Sequence, residues 1–105
     1  MADDVTIEVE DRPQEGRFAV FVDGVDAGGA EYKREGGRRV FDHTEVSDRF
    51  EGKGVGGALA KAALKATREA GDQVVPVCDF MREYIERHPE YQDLVDEERL
   101  AEMTD

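Results

Sequence analysis

Tryptophan is absent, cysteine occurs once, histidine twice and proline three times in this chain of 105 residues. A lone cysteine excludes an intramolecular disulfide, and Cys78 with His43 and His88 forms no metal-ligand spacing, so no metal is expected. No run of about 18 apolar residues and no signal-peptide pattern occurs, so a soluble cytoplasmic protein is expected, with no membrane partner. Positive charge is scarce too: 14 lysines and arginines face 26 aspartates and glutamates, a formal charge of −12. Such a field repels nucleic acid and anionic lipid, and neither is expected as an obligatory partner. At this length, with 39% hydrophobic residues, one core and a single domain over residues 1–105 are expected.

Charged residues make up 38% of the chain, and arginine outnumbers lysine ten to four. Adaptation to a salty cytoplasm and an ordinary acidic surface both accommodate that balance.

The first half reads as strands. Residues 5–10 (VTIEVE) alternate apolar and polar, 17–23 (RFAVFVD) form a more buried run, and Asp23-Gly24 is a turn signal. A shorter, weaker strand is expected over 28–37 and a fourth over 38–46 (RRVFDHTEV). Short glycine-containing links without helical periodicity predict an antiparallel meander. After Val55 the pattern changes: Leu59, Ala62, Ala66 and Ala70 continue an apolar stripe, predicting a helix that Gly71 terminates. QVVPVC (73–78) reads as a short strand parallel to the fourth. Asp79 is expected to cap a helix over 80–88 that Pro89 stops, with further helix over 90–103.

Between the halves, residues 52–57 (GKGVGG) hold four glycines directly ahead of the helix. Glycine lets N–H groups converge, and a helix start carries unpaired N–H groups and partial positive charge, which together bind anions. Ala58 stands where a Walker loop needs lysine. Gly52, Gly54 and Gly57 do fit G-x-G-x-x-G, but an antiparallel half precedes them and only one crossover follows, a poor match to a dinucleotide-binding fold.

The order of elements and four motifs, HTEV (43–46), GKGVGGALAKAAL (52–64), VVPVCDF (74–80) and YIERHPEYQDLV (84–95), resemble the GNAT superfamily of acyl-CoA N-acyltransferases. Within it they resemble the minimal single-domain subfamily with a cysteine after the fifth strand. The resemblance covers about residues 5–95. It implies an α/β (α+β) fold with a mixed sheet and acetyl-CoA as cosubstrate, from which an acetyl group passes to a primary amine.

The same resemblance implies that the diphosphate of CoA sits on Gly52, Lys53, Gly54, Val55, Gly56 and Gly57, with Lys53 and Arg49 as the cationic component. Glu51 stands where the superfamily usually has Gln or Arg, and is expected to face solvent. The pantetheine arm would pair with Thr44, Glu45 and Val46 where the fourth and fifth strands splay, a gap that Pro76 also favours.

Cys78 would lie at the mouth of that gap, as an acyl-carrying nucleophile or as a neighbouring packing residue. His43 and Glu45 share a strand face and could act as the base, and Tyr84 could protonate the leaving sulfur. The alternative is a non-catalytic CoA-binding or interaction module with the same fold.

Overall fold

The computed structural model describes residues 5–95. Period-two patterning and two tight turns build the first half. β1 (Ile7–Arg12), β2 (Arg17–Val22), β3 (Val25–Glu35) and β4 (Arg38–Val46) run antiparallel in sequence order, and β5 (Gln73–Pro76) adds parallel to β4. Asp23 and Gly24 both take positive φ (49° and 81°), the backbone that a two-residue hairpin between twisted strands requires.

β3 is eleven residues long, rather than the short strand expected over 28–37. Its glycines lie inside the strand and let it press against its neighbours. β1 starts and ends later than the expected 5–10, and β5 stops at Pro76 rather than Cys78, because the Val77 and Cys78 N–H groups both turn onto the Phe41 carbonyl.

α1 (Val55–Glu69) ends as expected. Ala70 is the cap, Gly71 sits at φ 75°, Gly71 N–H donates to Arg68 O and Asp72 N–H to Thr67 O. That pair of bonds satisfies two orphan carbonyls at the helix end. The buried stripe differs from the one read in the sequence. Ala60, Ala63, Leu64 and Thr67 join Val55 and Leu59 in the core, while Ala62 and Ala66 are half-buried and Ala70 is exposed. Alanine gives little contrast, so the two leucines decide the rotation. Thr67 satisfies its buried hydroxyl by donating to Ala63 O at 2.8 Å.

α2 (Asp79–Arg87) is capped by Cys78 rather than Asp79, with no side-chain cap; Asp79 occupies the first turn, where its charge favours the helix N-terminus. A short 3₁₀ turn over Pro89–Leu94 replaces the start of the helix expected over 90–103. Val95 then bridges Val74, and the rest of that expected helix lies outside the described residues.

Both helices cover the same face of the sheet: Leu59, Leu64, Met81 and Ile85 join Phe18, Val20, Phe41 and Val74 in one core. Arg17, Glu31, His43 and Glu45 lie on the other face, which no helix of the described residues covers.

At the helix-covered face, Tyr32 is buried and its hydroxyl donates to Asp11. Burial, then that hydrogen bond, pushes its phenol from 10 up to about 12. The folded state therefore keeps a proton that the unfolded chain loses near pH 10, so this contribution is full below pH 10 and is lost as pH rises toward about 12. Tyr32→Phe should flatten the fall in urea midpoint across that window. An unchanged alkaline slope would contradict it.

Candidate functional site

β4 changes neighbours along its length. It pairs with β5 only over Arg38–Phe41, whereas its pairing with β3 continues to Val46. From Asp42 onward no strand of the described residues lies beside its outer edge, and β5 bends away after Pro76. This is the gap expected between the fourth and fifth strands.

A bulge decides which side chains face that gap. The register passes from Tyr32↔Phe41 to Glu31↔His43, leaving Asp42 as the extra residue. Strict alternation would have put His43 on the same face as Phe41. Instead Thr44 and Val46 turn toward the helices, while His43 and Glu45 turn to the uncovered face.

His43 and Glu45 do share a face, with Nε2 and Oε2 3.9 Å apart, but their side chains are 57% and 74% exposed. Thr44 Oγ1 lies 3.3 Å from Cys78 Sγ, and Cys78 is half-buried at the start of α2. The structure thus brings Thr44 to Cys78 on the helix side and sets the His43–Glu45 pair behind them.

The glycine loop forms the other end of the site. Gly52 and Gly54 adopt φ 83° and 78°, and a Cβ on either would meet nothing within 4 Å, so backbone conformation rather than crowding calls for glycine there. Gly54 is the cap of α1, and among the described residues no side chain caps the helix start. Lys53 N–H donates to Phe50 O, so it is withdrawn from the expected set. Among the described residues, Gly52, Gly54, Val55, Gly56 and Gly57 donate no main-chain hydrogen bond. Five N–H groups at a helix N-terminus make an anion cradle of the kind a diphosphate fills.

Residues 52 and 54–56 line a groove of about 280 Å³ that Thr44, Val46, Phe50, Glu51 and Phe80 also wall, and Gly57 lies outside that lining. Glu51 is exposed at its rim, and Arg49 lays its guanidinium 5.5 Å over the Phe50 ring. Phe50 and Phe80 were not legible as site residues. Phe80 rests on Gly56, where a Cβ would stand 3.0 Å from its ring, and this contact fixes the groove's width.

Tyr84 lies one turn further along α2. It stacks on His88 at 3.9 Å and lines a second hollow that shares Phe80 with the groove. Burial raises its phenol above the ordinary value, with the charges of Tyr91 and Glu90 adding to the effect. Among the described residues no group of three or more His, Cys, Asp or Glu could hold a metal, and no helix is long and apolar enough to cross a membrane.

Comparison with known proteins agrees with this fold. A family model described as GCN5-related N-acetyl-transferase matches residues 17–94. The mouse protein NATD1 is 32% identical over 85 residues, spanning 79% of this chain and 77% of its own length. Its human counterpart is 36% identical over 55 residues, 50% of this chain and 49% of its own. A GCN5-like protein from Staphylococcus aureus, solved in solution by NMR, superposes with a TM-score of 0.67 at 27% identity, covering 85% of this chain and 87% of that one.

Proposed function

Because this chain belongs to the GCN5-related N-acetyltransferase family, we propose that it moves an acetyl group from acetyl-CoA to a primary amine as a single cytoplasmic domain. One observation carries the reading. The uncommitted amides of residue 52 and residues 54–56 open on a groove that reaches Thr44, whose hydroxyl meets Cys78 beside the unpaired edge of β4.

In this reading those amides and the α1 dipole hold the diphosphate of the substrate, with Lys53 and Arg49 adding positive charge. The backbone of Thr44, Glu45 and Val46 offers the pantetheine arm a strand edge to pair with. Phe80 and Val46 exclude water from its flank.

His43, oriented by Glu45, accepts a proton from the incoming ammonium. The neutral nitrogen then attacks the acetyl carbonyl carbon. A C–N bond forms and the C–S bond breaks; the sulfur takes a proton from a phenol, and the remaining surplus nitrogen proton restores that phenol through solvent, giving the amide and CoA thiol. Tyr84, whose raised phenol stays protonated at neutral pH, is the donor assigned to the sulfur.

Transfer is assigned as direct, because Cys78 Sγ faces the Thr44 hydroxyl while the basic pair occupies the other side of β4. A second reading, binding of acyl-CoA without turnover, draws on His43 and Glu45, whose exposed side chains leave the assigned base without an enclosed site.

Calorimetry with acetyl-CoA, CoA and NAD, followed by thiol release with an amine panel, separates these readings. Acetyl-CoA and CoA should bind and NAD should not. His43→Ala should lower turnover about 100-fold with acetyl-CoA affinity unchanged, and Cys78→Ala should lower it only modestly. Turnover abolished in Cys78→Ala, with an acetyl adduct on the parent cysteine, would overturn direct transfer. Binding with no acetylated amine would favour the module, and no binding would overturn both.

A further inference from the structure

The uncovered face of the sheet carries a pocket of about 300 Å³, on the far side of β4 from the glycine-loop groove. We infer that this pocket holds the acceptor, and that the acceptor is a short aliphatic diamine or polyamine whose second ammonium is bound while the first reacts. The inference rests on the acetyl-transfer reading and adds the substrate class to it.

The pocket has a structural cause. Two cross-strand rows lie side by side on this face: Arg17, Glu31 and His43 in one, Ala19, Gly29 and Glu45 in the other. In the second row Ala19 is fully covered, and Gly29 lines the pocket without contributing a side chain to it. A Cβ on Gly29 would come within 2.6 Å of Arg17 Nη2, so the missing side chain lets that guanidinium lie flat and donate to Gly28 O at 2.9 Å. Arg17 also faces Glu15 at 3.7 Å.

The one arginine of the pocket is thereby occupied by other groups, while carboxylates of Asp26, Glu31 and Glu45 rim the cavity. Asp26 uses one oxygen to accept from Gly28 N–H and keeps the other. The result is a small hollow of negative potential in a chain already at −12.

Its position relative to the reacting atoms sets the length of the ligand. His43 belongs to the pocket, and the next residue, Thr44, touches Cys78 from the opposite face. An amine at His43 therefore looks through the unpaired part of β4 toward the thioester. Glu31 stands directly across from His43, a separation of roughly 5 Å between side-chain origins. Two ammonium groups a few methylenes apart satisfy both positions, and a monoamine satisfies only one.

The test uses the intact chain with putrescine, spermidine, n-butylamine and a lysine-containing peptide. In amide NMR spectra, putrescine should shift Gly28, Gly29 and Glu31, and acetyl-CoA should separately shift residues 52–57. With acetyl-CoA, putrescine should be acetylated with kcat/KM at least about fivefold above butylamine, and Glu31→Gln should erase that ratio without changing acetyl-CoA affinity. Asp26→Asn should reduce it in the same sense, and molar salt should compress it.

Equal rates for the two amines, shifts elsewhere on the protein, or preference for the peptide would overturn the inference even if acetyl-CoA binds. Absence of any acetyl-CoA response at residues 52–57 would instead overturn the acetyl-transfer reading.

Discussion

Replacing Gly28 with alanine is expected to destabilise the protein by about 3 kcal/mol or more. Gly28 sits at φ 127°, a conformation that L residues rarely adopt, and a Cβ there would overlap the Glu45 carbonyl oxygen and stand 3.0 Å from Val46 Cα. Both obstacles are backbone, so no side-chain rotation relieves them. The sheet must open where β3 holds the end of β4, the segment that positions Thr44, Glu45 and Val46.

Gly24→Ala provides the comparison. Gly24 has a positive φ of 81°, but an added methyl would meet nothing within 4 Å, so only the conformational penalty of about 1 kcal/mol applies. Urea titrations of both variants measure the difference. Equal midpoints would refute the role of close strand approach.

Asp72→Ala is expected to cost about 3 kcal/mol through a different mechanism. Arg39 is buried, its guanidinium 4.7 Å from the Tyr32 ring centroid and 5.4 Å from that of Phe18, and its Nε and Nη1 have no hydrogen-bond partner among the described residues. The Asp72 carboxylate, 3.9 Å from Arg39 Nε and bonded to Arg34 Nε at 2.7 Å, supplies the compensating charge. Removing it leaves a cation in an aromatic box.

Arg39→Met distinguishes this from a simple loss of contacts. Replacing the buried charge with an apolar side chain of similar length should be neutral or stabilising, and should abolish most of the effect of Asp72→Ala in the double variant. Additive losses in that cycle would show that Asp72 acts through Arg34 or the helix end instead.

The architecture was largely legible because its signals are local. Asp23-Gly24 names its own hairpin, Gly71 names the helix stop, and the glycines of residues 52–57 ahead of an alanine-rich run mark the turn into α1. The parallel placement of β5 follows from the helix that precedes it.

The candidate site was less legible because it depends on cross-strand geometry. The bulge at Asp42 exchanges the faces of His43 and Thr44, and nothing in RRVFDHTEV announces it. Phe80 reaches the groove only because Gly56 on another helix lacks a side chain. The Arg39–Asp72 pair joins residues far apart in sequence, and a string of alanines in α1 leaves the direction of its buried stripe to two leucines.

The end of α1 carries a consequence for tolerance to length change. Ala70 closes the helix, Gly71 makes the left-handed turn, Asp72 delivers the counter-charge to Arg39, and Gln73 already donates to the Gly37 carbonyl. Every residue of the junction is committed to a separate task. Insertions that a surface hairpin would absorb have no slack to occupy here, so the link between α1 and β5 should resist any change of length.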